Sequence, residues 1–231
     1  NLFQKFNQIF PQKENSSTAT YLGCNQAITP CGTWLLLKEY LEHNPQTREA
    51  YYFILPNNLG NDMNLNYTYQ YFVIPFIDDE TINIIAPETR ENLYKKFGKF
   101  FVENRYIKRC LLNNNYFMKT YIDYVKGHGK DRSYIHRLSE TAVIYLARMR
   151  ELCRKYNVKL FVRPLPMSDV QKNHGWEELK QDIKDNSLED IFNDYVERIK
   201  YYPENWFRDG VHFKPKVLKE HLDELRALLL D

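Results

Sequence analysis

The stretch Ala50–Leu55, "AYYFIL", decides the fold that the sequence predicts. Its residues are all apolar, without the alternation of a half-exposed strand, and Pro56 ends the run. A continuous apolar run of this length is typical of a strand buried on both faces of a parallel sheet. The stretch "VKLFVRPLP" (158–166) is predicted as the next buried strand and is closed by Pro164 and Pro166. A shorter apolar run, "TATYL" (18–22), has strand length and stops at Gly23.

Segments with helical spacing of their apolar residues alternate with these strands. They are residues 1–10, "TWLLLKEYLEH" (33–43), 88–125 with a break at "LNNNY", 139–156, 177–200 and 216–230. Strands that alternate with helices predict a parallel sheet covered on both faces. We therefore expect one domain over residues 1–231, with an α/β fold built as a three-layer α/β/α sandwich around a parallel central sheet.

The composition excludes some classes of function. The chain has 231 residues, of which 43% are hydrophobic, and this is enough for a packed core. The formal net charge is only +2 and both signs are interleaved, which argues against a nucleic-acid partner. No apolar run reaches the roughly 18–20 residues that cross a bilayer, so no membrane span is expected. The cysteines, Cys24, Cys31, Cys110 and Cys153, lack metal or redox spacing and are expected to be buried apolar residues.

Functional side chains in a parallel α/β sheet collect beyond the carboxyl ends of the strands. In this sequence those strand ends are residues 23–26, 56–62 and 163–169. The first contains Gly23, and the second contains the polar pair Asn57 and Asn58. These positions are the first candidates for a site.

A further candidate is Phe207–Phe213, "FRDGVHF", which contains Asp209 and His212. A spacing of three residues places two side chains on one side of a helical turn, where a carboxylate can accept a hydrogen bond from an imidazole. A carboxylate that orients a histidine is half of a nucleophile–His–Asp relay. The alternative is that Asp209 caps a turn and His212 packs at the start of the last helix.

The blocks "YLGCN", "FILPNN" and "FRDGVHF", together with "LFVRPLP", resemble the SGNH (GDSL-type) hydrolase superfamily in their order. That superfamily comprises parallel α/β sandwiches that act as esterases, lipases, deacetylases and glycan O-acyltransferases. Its blocks are a nucleophilic Ser in a turn, a Gly, an Asn and a late D-x-x-H. The resemblance spans most of the chain, and "RDGVHF" is its distinctive part.

The resemblance implies a role for each matching residue. His212 would be the general base and Asp209 its orienting partner. Asn58, or Asn57 beside it, would donate to an oxyanion, and the backbone N–H of Gly23 would be a second donor. The implied substrate is a small-molecule or glycan acyl ester, with no metal or organic cofactor. A cell-envelope or other extracytoplasmic location is favoured over the cytoplasm, and the oligomeric state stays open.

The nucleophile is the point at which the chain departs from the family pattern. If "LGCN" is the first block, Asn25 stands where the serine belongs and Cys24 is one residue out of place. If "YLGCN" is the second block, the nucleophile turn precedes Asn1, and we favour this alignment. We then expect the first strand and the nucleophile turn to be missing from this sequence. Ser16 and Ser17 do not fit, since they precede a strand.

Two hypotheses from different classes follow. The first is an SGNH-type serine esterase or O-acyltransferase, possibly acting on a carbohydrate or cell-envelope glycan. The second is a non-catalytic relative that binds a glycan or a partner protein and keeps Asp209 and His212 as structural remnants. Trp176 and Trp206 could stack on sugar rings, although packing explains most aromatic residues. An unrelated α/β protein remains a third interpretation.

Overall fold

The computed structural model describes residues 29–60, 77, 81–104, 136–172, 175–208 and 212–227. The predicted helix at residues 1–10 and the predicted strand at residues 18–22 lie outside these ranges. Gly23 and Asp209 lie outside them as well.

The described helices and strands alternate in the order that an α/β fold requires. They are α1 (Pro30–His43), β1 (Glu49–Ile54), α2 (Pro56–Leu59), α3 (Pro87–Phe97), α4 (Lys99–Glu103), α5 (Glu140–Lys155), β2 (Lys159–Pro164), β3 (Met167–Ser168), α6 (Glu177–Asp185), α7 (Glu189–Phe192), β4 (Tyr201–Tyr202), α8 (Pro215–Glu220) and α9 (Leu222–Ala227). Short 3₁₀ helices lie at Thr81–Asn83, Asp169–Gln171 and Glu204–Trp206.

The two strongest predicted strands are neighbours. β1 and β2 pair in parallel, with Glu49 opposite Lys159 and Ile54 opposite Pro164. The Lys159 N–H donates to the Arg48 carbonyl at 2.9 Å. A second and shorter parallel pair joins β3 to β4. The predicted parallel pairing of the apolar strands is therefore confirmed.

The two faces of the β1–β2 pair differ in burial. The core face is Tyr52, Ile54, Leu160 and Val162, and all four residues belong to the main hydrophobic core. The aromatic face is Tyr51, Phe53, Phe161 and Arg163, none of which belongs to that core. The side chain of Tyr51 is 50% exposed. Alternate residues of the strand point to opposite sides, and only one of these sides lies against the core. The prediction that "AYYFIL" is buried on both faces is therefore wrong.

Helices α1 and α5 pack together against the core face. The Trp34 ring on α1 lies 5.7 Å from the Tyr145 ring on α5, measured between centroids. Both helices begin where the sequence supplies a side-chain cap, since the hydroxyl of Thr29 accepts from the Gly32 N–H and that of Ser139 from the Ala142 N–H. After α5, Asn157 takes a left-handed conformation with φ 56°, which is common for a residue just past the end of a helix.

Several helices are shorter than the sequence predicts. Within the described part of residues 88–125, the predicted helix is interrupted at Gly98, where φ is 80°. The predicted helix at 177–200 is two helices, α6 and α7, separated by Ser187 with φ 52°. The predicted terminal helix is also two helices, α8 and α9, with His221 between them. Apolar spacing continues across these breaks, so periodicity alone does not locate them.

The described residues form an α/β structure, which confirms the predicted class. Within the described ranges the strands form two separate two-stranded sheets. The core face is covered by helices, whereas half of the Tyr51 side chain on the aromatic face remains exposed. No helix in the described part of the chain is long and apolar enough to cross a membrane.

Candidate functional site

The carboxyl end of β1 leads directly to Asn57 and Asn58. Pro56 starts the short helix α2 there, because its fixed φ suits the first helical position. The Asn58 N–H donates to the Leu55 carbonyl at 2.9 Å, which closes the turn. The Oδ1 atom of Asn57 is buried and has no hydrogen-bond partner. A buried amide oxygen of this kind costs about 1–3 kcal/mol, so Asn57 carries an unsatisfied polar group at the strand end.

The asparagine turn is held against the beginning of α5. The Leu59 carbonyl accepts a hydrogen bond from the Ser139 N–H at 2.9 Å. The neighbouring Leu138 N–H donates to Oδ2 of Asp182 on α6, also at 2.9 Å. The backbone at the end of the turn is therefore held by the start of α5, which is in turn bonded to α6.

An aromatic pair is formed by the residues just before α5 and α6 in the chain. The rings of His136 and Trp176 stack with their centroids 3.9 Å apart and their planes at 9°. His136 is buried. Trp176 thus stacks on another side chain of the protein. Its stacking on a sugar ring stays a prediction. No pattern in the sequence indicates the pair, since its members are far apart in the chain.

The loop that carries His212 is closed by backbone pairing. Phe207 and Phe213 form an antiparallel bridge, and their rings stack at 4.5 Å between centroids. The Arg208 N–H donates to the His212 carbonyl at 2.8 Å. The next helix, α8, begins only at Pro215.

These contacts fix the surroundings of His212, which precedes α8 rather than standing in it. The helical-turn geometry predicted for Asp209 and His212 stays a prediction. His212 is exposed. The relation of its ring to the Asp209 carboxylate stays a prediction, because Asp209 lies outside the described residues.

The position of this loop follows from the second sheet. β3 begins three residues after the end of β2 and pairs with β4, which places Met167 opposite Tyr201. The Tyr202 ring on β4 meets the Phe213 ring edge-on, at 5.8 Å between centroids. Oδ1 of Asp169 accepts a hydrogen bond from the Glu204 N–H at 3.1 Å. The His212 loop is therefore attached to the segment that continues from the carboxyl end of β2.

Trp206 is part of the packing of the same loop. Its ring lies 5.0 Å from that of Tyr202 and 4.1 Å from that of His221. Nδ1 of His221 in turn lies 3.3 Å from Oε2 of Glu224. These contacts give Trp206 a structural role, and sugar stacking by this residue stays a prediction.

The described serines do not include an obvious nucleophile. The hydroxyl of Ser139 caps α5. Ser187 lies in the turn between α6 and α7. Ser168 follows β2 and opens a 3₁₀ helix, but it is fully buried and its Oγ atom has no hydrogen-bond partner. Without exposure, Ser168 cannot reach a substrate in this conformation.

The described thiols are also unsuited to nucleophilic attack. Burial raises the pKa of Cys31 to about 12, although a hydrogen bond with Tyr145 and the charge of Arg148 act in the opposite direction. Burial alone raises the pKa of Cys153 to about 12. A thiol with such a pKa is protonated at neutral pH and inert. The prediction of buried apolar cysteines is confirmed for these two residues, while Cys24 and Cys110 lie outside the described ranges.

The predicted site residues that the structure describes lie in two places. Asn57 and Asn58 lie at the end of β1, and His212 lies in a loop attached beyond the end of β2. Gly23 and Asp209 are outside the described residues. Among the described residues, no group of three or more His, Cys, Asp or Glu side chains could hold a metal ion.

Comparison of the chain with protein families, with curated proteins and with solved structures finds no match in any of the three.

Proposed function

We propose that the protein is a serine esterase or O-acyltransferase of the SGNH type, acting on an acyl ester that a carbohydrate or cell-envelope glycan could carry. The finer architecture belongs to the same proposal, namely a single three-layer α/β/α domain with a parallel central sheet. In this mechanism His212 takes the proton of a serine hydroxyl as the hydroxyl attacks the ester carbonyl. Asp209 orients the imidazole and stabilises its charged form.

The remaining roles concern the developing oxyanion. Asn58 or Asn57 donates a hydrogen bond to it from the amide nitrogen, and the Gly23 N–H is the second donor. The alcohol leaves with a proton from His212, and the acyl group then passes to water or to a sugar hydroxyl. No metal or organic cofactor enters these steps.

One observation carries the proposal. The Asn57–Asn58 turn and the His212 loop both follow from carboxyl ends of the same parallel pair, the first from β1 and the second through the β3–β4 pair beyond β2. This is the side of a parallel α/β sheet at which ligands bind.

A serine-reactive phosphonate probe tests the proposal on the full-length protein. The wild type should be labelled, and His212→Ala should not, because the hydroxyl loses its base. His221→Ala is the matched control, since His221 is also in the carboxyl-terminal part of the chain and pairs with Glu224. The control should keep its labelling. Absence of labelling in the folded wild type would contradict the proposal.

A second experiment separates the two asparagines. With an activated acetyl ester as substrate, replacing the oxyanion donor by Ala should lower kcat about 10²–10³-fold. Asn57→Ala and Asn58→Ala are compared side by side, and one of them should show the loss while the other changes kcat little. Equal and small effects of both substitutions would remove this turn from the mechanism.

The second candidate is a non-catalytic module that binds a glycan or a partner protein. The observation that favours it is the state of the described serines, which cap a helix, lie in a turn or are fully buried. In that case the phosphonate probe labels no variant, while the folded wild type binds immobilised acylated glycans. Binding without labelling would therefore select this candidate.

A further inference from the structure

A groove lies at the amino ends of β1 and β2, which is the opposite end of this parallel pair from the Asn57–Asn58 turn. Its volume is about 410 Å³. The residues that line it are Arg48, Glu49, Arg154, Asn157, Val158 and Lys159, and we call it the basic groove. Every residue of the lining is described by the structure. The volume lies within the range of about 300–1,000 Å³ that is typical of small-molecule sites.

The lining residues come together because the starts of both strands and the end of α5 meet there. The Lys159 N–H donates to the Arg48 carbonyl at 2.9 Å, so these two residues are neighbours at the start of adjacent strands. The Asn157 N–H donates to the Arg154 carbonyl at 3.1 Å, and Asn157 has the left-handed φ of 56°. This tight turn leads from α5 into β2 and keeps Arg154 close to the start of that strand. The arrangement of the cationic residues therefore follows from the core sheet and helix.

The lining of the basic groove is positively charged. Arg48, Arg154 and Lys159 are cationic and Glu49 is the one carboxylate, so the net charge of the lining is +2. Glu49 stands opposite Lys159 in the strand register, but its Oε2 atom accepts a hydrogen bond from the Tyr51 hydroxyl at 2.9 Å. Neither Arg48 nor Lys159 forms an ion pair with a described residue. The two cations at the strand starts therefore have no local counter-charge within the described ranges.

The third cation, Arg154, is only partly neutralised. Its guanidinium donates to Oδ2 of Asp190 at 3.0 Å, and Arg150 donates to Oδ1 of the same carboxylate at 3.1 Å. Two guanidiniums thus share one carboxylate, and the side chain of Arg154 remains 66% exposed, with further N–H donors for a ligand. A cation in the last turn of α5 also complements the helix dipole. That structural explanation does not extend to Arg48 and Lys159, which stand at strand starts.

We propose that the basic groove binds the phosphate group of a small phosphorylated molecule. A phosphate monoester carries a charge of about −1.5 to −2 near pH 7, which matches the net charge of the lining. Guanidinium groups bind phosphate oxygens in pairs, and the Lys159 ammonium group adds a point charge. A carboxylate brings only one negative charge and fits this lining less well. Nucleic acid would need a wider basic face, which the interleaved charges of the sequence do not supply.

Isothermal titration calorimetry with glycerol phosphate tests the proposal on the whole protein at constant ionic strength. The wild type should bind with a Kd of about 1 mM or below. Arg48→Gln and Lys159→Gln should each raise the Kd at least about 10-fold, because each removes a charge-assisted contact with the phosphate. Lys155→Gln is the matched control, since it removes the same charge beside Arg154 from a side chain that does not line the groove. It should change the Kd less than about 2-fold, because salt screens an exposed charge outside the groove.

Two further comparisons identify the group that is bound and the charge that binds it. Glu49→Gln should lower the Kd for glycerol phosphate, because it removes the one carboxylate of the lining. Inorganic phosphate should compete with glycerol phosphate, whereas glycerol, which lacks the phosphate group, should not. Absence of binding by the folded wild type would overturn the proposal. Binding that neither Arg48→Gln nor Lys159→Gln weakens, or that Lys155→Gln weakens equally, would also overturn it.

Vesicles of phosphatidylglycerol distinguish a lipid headgroup from a soluble phosphate. Sedimentation of the wild type with these vesicles, without binding of glycerol phosphate, would overturn the proposal. Circular dichroism checks the fold of each variant, and if Arg48→Gln does not fold, Lys159→Gln and Glu49→Gln decide. The outcome is independent of the proposed esterase activity, because the basic groove lies at the other end of the strands from the Asn57–Asn58 turn.

Discussion

The two faces of the β1–β2 pair are built from the same short stretches of sequence and have opposite environments. On the core face, Ile54 and Val162 are almost completely buried against helices. On the aromatic face, Tyr51 stacks on Phe161 at 5.0 Å between centroids and is half exposed. The core face is aliphatic apart from Tyr52, whereas the aromatic face also carries the charged side chain of Arg163. The difference comes from where α1 and α5 lie.

The largest expected effect compares one residue from each face. Ile54→Ala should lower the free energy of unfolding by about 2–5 kcal/mol, because it opens a cavity in the core. Tyr51→Ala should lower it by about 1 kcal/mol or less, because half of the side chain is exposed and mainly its ring contacts are lost. Urea unfolding followed by circular dichroism measures both. Equal losses would show that the aromatic face is covered in the folded protein.

The thiols behind the core face predict a pH dependence of stability. The pKa of Cys31 and that of Cys153 are each raised from 9 to about 12 in the folded protein. A raised pKa means that the full stability is present below pH 9 and is lost as the pH rises toward 12. The loss should reach about 1.4 kcal/mol per pH unit for each thiol. Urea unfolding between pH 8 and 10.5 measures the slope.

The Cys153→Ala variant is the control for this slope. It should reduce the loss of stability above pH 9, although its cavity lowers stability at every pH. A wild-type slope that does not change when Cys153 is replaced would contradict the assignment of the effect to this thiol.

An intermediate effect is expected at the end of β1. The Tyr195 hydroxyl donates to the Ile54 carbonyl at 2.6 Å, and Tyr195 is buried. Tyr195→Phe removes the donor and should cost about 1–2 kcal/mol of unfolding free energy. Tyr156→Phe is the comparison, because Tyr156 is only partly buried, and it should change stability little. An equal effect of both substitutions would argue against this hydrogen bond.

The smallest effect is expected from the charge on the aromatic face. The Arg163 guanidinium lies 4.9 Å from the centroid of the Phe161 ring. Arg163→Gln should cost about 0.5–1 kcal/mol of unfolding free energy through loss of this cation–π contact. Arg163→Lys keeps a cation and should cost less. A gain in stability on Arg163→Gln would mean that repulsion from the nearby Arg198 outweighs the contact.

Local signals in the sequence predicted the described elements well. The "AYYFIL" and "VKLFVRPLP" runs are β1 and β2 to within one or two residues. α5 begins where predicted, after the cap at Ser139, whereas α1 begins at Pro30 after the cap at Thr29, three residues before the predicted start at Thr33. In each case the signal is a property of neighbouring residues, such as an apolar run or a hydroxyl that accepts from the first helical turn. Such signals need no knowledge of the rest of the chain.

Long-range contacts account for what the sequence did not predict. The stack of His136 on Trp176 and the bridge between Phe207 and Phe213 depend on segments that meet only in the fold. The left-handed residues Asn193 and Asp194 end the region predicted as one helix, although neither is a glycine. Of the candidate site, the strand-end position of Asn57 and Asn58 was predictable, and the closed loop around His212 was not.

The sequence by itself determined the α/β class and the parallel strands, because apolar runs and their periodicity act over a few residues. The tertiary structure decided which face of "AYYFIL" is buried, which side of β1 receives β2, and that His212 lies in a closed loop. Those outcomes depend on which segments compete to cover the same apolar surface. That competition is settled by the packing of the whole chain, and no short stretch encodes its result.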